Sequence, residues 1–372
     1  MEEAYRLLEQ GMLLFEESRC DEAVDRFRRY LDEFPEDAEG HFLLGRALYE
    51  QGDVEEAFLR FNRAIAIDPG DARPYDGLGI ICSDRGEYEQ ALRHFEAALA
   101  KDPENPDVLN EMGIVMKECG QFQKALELYD QAIKQDPGFG YPYYNKGILL
   151  ADAGDFDAAV ECLQAAIGLY KGDKERLADV LFELAAVHEA AEDLQKAVST
   201  YQEILALEPE SVDALGGIGS IHLEQGNFEE GALIFDRIIT LDPDNDMAYL
   251  KKSYAIGSLG NEKSEMELIE KCLDLNPENK YALSNKGALL MERGDYDAAQ
   301  QLFGKALEVD PDYSWAIYNM ACLYSLQDQY DLAIVNLKQA FELDPLLKRD
   351  AASDECLDKI KERHEFKKLI NS

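Results

Sequence analysis

One pattern returns about every 34 residues along most of this chain, and a period of that size decides the architecture before any single motif does. It is clearest in residues 281–311, YALSNKGALLMERGDYDAAQQLFGKALEVDP. Tyr281 to Arg293 contains no proline and is rich in alanine and leucine, so it reads as a helix. Gly294 can close that helix in the left-handed conformation, and Asp295 can cap the next one. Ala298, Ala299, Leu302, Phe303, Ala306 and Leu307 then fall on one apolar stripe at helical spacing. Asp310-Pro311 ends the second helix, because proline removes a backbone donor and restricts the residue before it. Gly287 and Ala299 are small, as two closely crossing helices require. A lone hairpin cannot bury its stripe, so such units must stack on one another.

Ten units fit the register: 4–37, 38–71, 72–105, 106–139, 140–173, 178–211, 212–245, 246–279, 280–313 and 314–347. Counting from the first residue of each unit, position 8 is small throughout: Gly11, Gly45, Gly79, Gly113, Gly147, Ala185, Gly219, Ser253, Gly287 and Ala321. Position 20 is alanine in most units, from Ala23 and Ala57 to Ala299 and Ala333. Proline closes every unit but the fifth, and Pro74, Pro106 and Pro142 fall in the first turn of a helix, where proline is tolerated. The pattern of Gly287, Gly294, Ala299, Phe303 and Pro311 resembles the tetratricopeptide repeat. The resemblance covers roughly nine-tenths of the chain. It implies an all-α fold, a right-handed superhelical solenoid of ten helix-turn-helix units over residues 1–347, with a C-terminal capping segment over 348–372.

Three departures carry their own expectations. Lys171 stands where the fifth proline belongs, and Lys174 to Leu177 is an insertion of about one helical turn. It predicts a longer first helix in unit six, capped by Asp173. In unit eight Glu265 occupies position 20, and Lys252 is a candidate partner for it; leaning into solvent is the other reading. After Pro345 the pattern changes, and Leu357, Ile360, Phe366, Leu369 and Ile370 suggest short amphipathic helices covering the last apolar face.

Composition narrows the function. The net charge is −39, from 76 acidic against 37 basic residues, which disfavours a phosphate backbone or an anionic membrane as partner. No apolar run is long enough to span a bilayer, and MEEAYRLLEQ lacks the pattern of a secretory signal. Seven scattered cysteines fit a reducing compartment better than a disulfide framework or a zinc site, so a cytoplasmic location is expected. No enzyme signature survives scrutiny. His364-Glu365 begins a zinc-binding pattern, but Lys368 stands where its second histidine belongs. The GGIGS run at 216–220 falls inside a first helix without a preceding strand. No catalytic residue, metal or cofactor is expected.

The resemblance also implies a concave face lined by first helices at positions 2, 5, 6, 9, 12 and 13. Carried over, this face holds Phe42 and Tyr49 (with Tyr5 and Phe15), then Tyr141 and Tyr144, then Tyr254, Tyr281, Trp315 and Tyr318. Aromatic side chains offer large contact area with a polar edge. Asn110 lies at position 5, and Asn145, Asn285 and Asn319 lie at position 6, where relatives bond a peptide backbone. Position 5 never carries lysine, so the carboxylate clamp that holds chaperone tails in other members is absent. Acid replaces it: Glu16, Glu50, Asp84, Glu118 and Asp152 recur at position 13. These acids form either a solvated helix end or an acidic groove edge that prefers basic or neutral segments with apolar anchors. The expected function is a non-enzymatic protein–protein interaction scaffold that holds a peptide or helical segment. Self-association through the end repeats is the alternative, and a helical-repeat RNA binder is disfavoured by the charge.

Overall fold

The computed structural model describes residues 2–371, with side chains from residue 6 onward. Tyr5 therefore lies outside the described side chains. The described residues form 22 α-helices and one short 3-10 turn, Glu355–Leu357. Eighteen of these helices make nine hairpin pairs, from Glu2–Glu16 with Cys20–Glu33 to Ser314–Leu326 with Tyr330–Leu343. The chain divides into two compact units, Met1–Ala197 and Val198–Ser372, and the division falls inside the helix Leu194–Leu207.

Within each unit the same packing recurs. The residue at position 15 adopts a left-handed backbone wherever the first helix must stop, as at Gly294 with φ 82°. Ser18, Glu192 and Asp328 take the same conformation without being glycine, with φ 59°, 58° and 64°. The position-20 alanines Ala57, Ala91, Ala125, Ala299 and Ala333 are fully buried. The glycine at position 8 faces the position-24 side chain of its own unit. A Cβ added to Gly79 would lie 2.4 Å from Cε1 of Phe95, and one added to Gly113 would lie 2.4 Å from Cε1 of Tyr129. The pattern of small residues thus records where a ring meets a helix backbone.

The insertion in unit six extends its first helix to Lys174–Ala190, 17 residues long. The Asp173 carboxylate accepts from the Arg176 backbone N–H at 3.2 Å, as the cap reading expects. Beyond the last pair, the helices Leu347–Ser353 and His364–Asn371 flank the 3-10 turn. Leu347, Ala351, Leu357, Ile360 and Phe366 are buried together with Ile317, Cys322, Leu337 and Phe341 of the last pair. The C-terminal segment closes the apolar face that a further repeat would have covered.

Unit eight requires a correction. Lys252 does not reach Glu265; it pairs with Asp236 on the second helix of the preceding unit. Lys146 with Asp130 at 2.5 Å and Lys286 with Glu270 at 2.8 Å repeat the same contact between position 7 and position 25. Glu265 lies half-buried against the Gly257 backbone, where an added Cβ would sit 2.3 Å from its carboxyl carbon. Burial raises its pKa, and the charges of Glu292 and Glu262 raise it further. A half-buried carboxylate without a cation costs stability. Glu265→Ala is expected to raise the stability of the C-terminal compact unit by roughly 1 kcal/mol. Denaturant midpoints of the two proteins at pH 7 check this. A lower midpoint for the variant would show that Glu265 makes a net favourable contact with Gly257.

Candidate binding surfaces on the first helices

In the N-terminal compact unit, the first helices of units two, three and four are Ala38–Gln51, Arg73–Asp84 and Pro106–Glu118. Together they border a cavity of about 420 Å3. Four carboxylates line it: Glu50 from the first of these helices, Asp76 from the second, and Asp107 and Glu111 from the third. None of the four forms an ion pair among the described residues. Oδ1 of Asp76 is buried and has no hydrogen-bond partner there. Burial, with the charges of Glu111 and Asp107, pushes the Asp76 carboxyl up to about 7, while Arg46 pulls weakly the other way. Burial also raises Asp107 and Glu111.

Two cations, Arg46 and Arg73, also line the cavity, and both are engaged with other groups. Arg73 bonds Glu39 at 2.5 Å and Asp71 at 2.8 Å. Its guanidinium also covers the Phe42 ring at 4.4 Å. Arg46 stacks over Phe15 at 4.9 Å and Phe42 at 5.9 Å. Tyr49 donates to Asp84 at 2.6 Å, which joins two of the aromatic and acidic candidates. Glu16, Glu50, Asp84, Glu118 and Asp152 are all exposed. Tyr141 is exposed, edge-on to Phe139 and Tyr170, with Arg176 above it at 5.1 Å. Tyr144 is half-buried. Asn145 is also half-buried and donates to Asn110 at 2.9 Å, and Asn110 donates to Glu111 at 3.3 Å.

The C-terminal compact unit carries a different surface. A cavity of about 310 Å3 is lined by Tyr254, Tyr281, Tyr313, Asn285 and Lys251, with Leu223, Met247 and Leu250 as its apolar floor. Tyr281 meets Tyr313 edge-on at 5.4 Å, and Tyr254 meets Phe228 at 5.9 Å. Asn319 donates to Ser284 at 3.1 Å, the same bond between position 6 and the previous position 5 that Asn145 makes. Asn285 has no such partner, because Leu250 stands at the previous position 5. Its amide is half-buried and unpaired among the described residues. Trp315 is exposed and stands edge-on to Tyr318 at 5.9 Å.

Three expected lining residues are interior instead. Phe42 is 5% exposed beneath Arg73, Asn110 is 2% exposed within the amide ladder, and Tyr318 is 2% exposed beneath the C-terminal segment. Their positions are right for the first-helix face, but neighbouring side chains cover them. Among the described residues no group of three or more His, Cys, Asp and Glu side chains could hold a metal ion, and no helix is long and apolar enough to cross a membrane.

Comparison with known proteins agrees with this packing. Sequence profiles described as tetratricopeptide repeat match residues 8–72, 84–137, 141–210, 182–246, 248–279 and 281–345. The chain is a tetratricopeptide-repeat protein. Among curated proteins none matches it. Solved tetratricopeptide-repeat and similar structures do. Yeast Tom70 superposes over 99% of this chain and 90% of its own, with a TM-score of 0.51 at 15% identity, a likeness of fold alone. YrrB, a TPR protein with an unusual peptide-binding site, covers 52% of this chain and 97% of its own, with a TM-score of 0.43 at 19% identity. MamA covers 44% of this chain and 96% of its own, with a TM-score of 0.38 at 23% identity.

In tetratricopeptide-repeat numbering the missed residues stand at lining positions. Asp76 is at position 5, Asp107 at position 2 and Glu111 at position 6. Applying those positions to carboxylates as well as aromatics would have found them. Tyr313, at position 34, and Phe228, at position 17, lie off the lining positions and carry no such signal.

Proposed function

We propose that this tetratricopeptide-repeat protein is a non-enzymatic scaffold that takes a basic peptide segment on the first-helix face of its N-terminal compact unit. The observation that carries the reading is the cavity bordered by Glu50, Asp76, Asp107 and Glu111, four carboxylates without an ion-pair partner beside two arginines already engaged. A lysine or arginine side chain entering there would meet uncompensated negative charge in a partly desolvated site, where attraction exceeds that at an open surface. The exposed acids at position 13 extend the same sign of charge along Glu16, Glu50, Asp84, Glu118 and Asp152. On the C-terminal compact unit, the Asn285 amide and the ring edges of Tyr254 and Tyr281 suit the backbone and an apolar anchor of an extended segment. The cytoplasm is the compartment that free cysteines at all seven positions favour.

Two fluorescent peptides of equal length and equal apolar content, one lysine-rich and one glutamate-rich, test this by titration at low salt. The lysine-rich peptide is expected to bind at least roughly tenfold more tightly. Replacing Asp76 by Asn and Glu111 by Gln together should remove most of that preference while far-ultraviolet circular dichroism stays unchanged. Equal affinities for the two peptides would sink the proposal. A preference that survives both replacements would move the site away from this cavity.

A further inference from the structure

The C-terminal segment is joined to the last hairpin through one carboxylate. Asp354 caps the 3-10 turn, and its Oδ1 accepts the backbone N–H of Cys356 at 2.8 Å. Its Oδ2 accepts the Tyr318 hydroxyl at 2.7 Å and the Cys322 thiol at 3.5 Å. One side chain therefore holds Cys322, on the helix Ser314–Leu326, beside Cys356, on the turn. Both cysteines belong to one buried cluster, Cys322 inside it and Cys356 packed against it. The remaining five cysteines have no thiol neighbour of this kind among the described residues.

The two thiols are not equivalent. Cys322 is fully buried, whereas Cys356 is half-exposed. Interaction with Cys322 lowers the pKa of Cys356, while the same interaction, burial and the charge of Asp354 raise that of Cys322. A half-exposed cysteine with a lowered pKa near a buried, protonated one is the arrangement of an attacking and a resolving thiol.

We propose that Cys322 and Cys356 form a hydroperoxide-reactive thiol pair whose disulfide fastens the C-terminal segment to the last hairpin. The Cys356 thiolate attacks the terminal peroxide oxygen and the O–O bond breaks. The alcohol leaves after taking a proton, and Cys356 becomes a sulfenic acid. The Cys322 sulfur then attacks the Cys356 sulfur, the S–O bond breaks, and the Cys322 proton leaves with hydroxide as water. Two thiols and one hydroperoxide thus yield one disulfide, one alcohol and one water. A dithiol reductant reverses the bond by exchange.

The full-length protein is treated with one equivalent of hydrogen peroxide, alkylated, and digested without reductant for mass spectrometry. The expected product is a Cys322–Cys356 linked peptide two hydrogens lighter than its parts. It should form roughly tenfold or more faster than sulfenic acid appears at Cys119, an exposed thiol with no thiol partner. In Cys322→Ala the link disappears and dimedone captures Cys356. In Cys356→Ala, Cys322 stays unmodified. Cys322→Ser is the control should the alanine variant lose helicity, and it too should leave Cys356 open to dimedone. Amide exchange over residues 355–371 should slow at least roughly tenfold in the oxidised wild-type protein. The proposal is overturned if Cys356 remains a sulfenic acid in the wild type, if Cys119 reacts faster, or if the link forms without slowing exchange.

Discussion

Phe95→Ala is expected to destabilise the N-terminal compact unit by about 3–5 kcal/mol, the cost of emptying a buried aromatic site. Phe95 is fully buried, and its ring rests on the backbone at Gly79. The same contact makes the reciprocal substitution informative. Alanine in place of a mid-helix glycine normally gains roughly 1 kcal/mol of helix propensity. At Gly79 the new methyl would stand 2.4 Å from Cε1 of Phe95, closer than real methyl contacts come. The ring is fully buried, so overpacking of about 1–3 kcal/mol is expected to outweigh the propensity gain. Gly79→Ala alone should therefore destabilise. In the Phe95→Ala background the obstruction is gone, and Gly79→Ala should stabilise instead. Chemical denaturation of the four proteins closes the cycle, with an expected coupling of roughly 2–3 kcal/mol. Stability in repeat arrays is largely local, so exchange protection should fall first in Arg73–Asp84 and Tyr88–Leu99. Additive losses would show that the position-8 glycine is not there for the ring.

That contact explains why the fold was legible. Small residues at positions 8 and 20 are imposed by close approach, so they survive in the sequence as a period. Proline and left-handed turns mark the helix ends for equally local reasons. Ser18, Glu192 and Asp328 show the limit of this: they adopt the glycine conformation, and only the register betrays them. The candidate site was legible by half. Tyr141, Tyr254, Tyr281 and Trp315 are exposed as their positions imply. Phe42, Asn110 and Tyr318 are interior because Arg73, the Asn145 amide and the C-terminal segment lie over them. Coverage of that kind depends on which side chain happens to be long enough to reach across a repeat, and a periodic pattern does not encode it. The pairing of Lys252 with Asp236 rather than Glu265 has the same origin. The lysine stem extends back to the preceding hairpin, as Lys146 and Lys286 do.

Asp76→Asn is expected to flatten the pH dependence of stability between roughly pH 4 and pH 7. An aspartate that ordinarily titrates at 3.8 is held at about 7 in the fold, so the native state binds its proton more tightly than the unfolded chain does. Between those values stability falls as pH rises, the reverse of the usual salt-bridged carboxylate. Removing the ionisable group should leave the two proteins alike near pH 3. The variant should become more stable by about 1–2 kcal/mol at pH 8, once partial exposure is allowed for. Denaturant midpoints across that range measure the difference, and subtracting wild type from variant removes the contribution of other carboxylates such as Asp71, whose pKa is lowered by Arg73. Identical slopes would show that Asp76 ionises freely. A cation seated beside Asp76 should act in the opposite sense to its neighbours Glu111 and Asp107, expelling the proton and erasing the same slope. A lysine-rich peptide should then bind more tightly as pH rises from 6 to 8 and release protons as it does so, which calorimetry in two buffers of different ionisation enthalpy detects. The cavity is thus a place where the empty protein sacrifices stability at neutral pH, and a basic ligand would restore what the unpaired carboxylates cost.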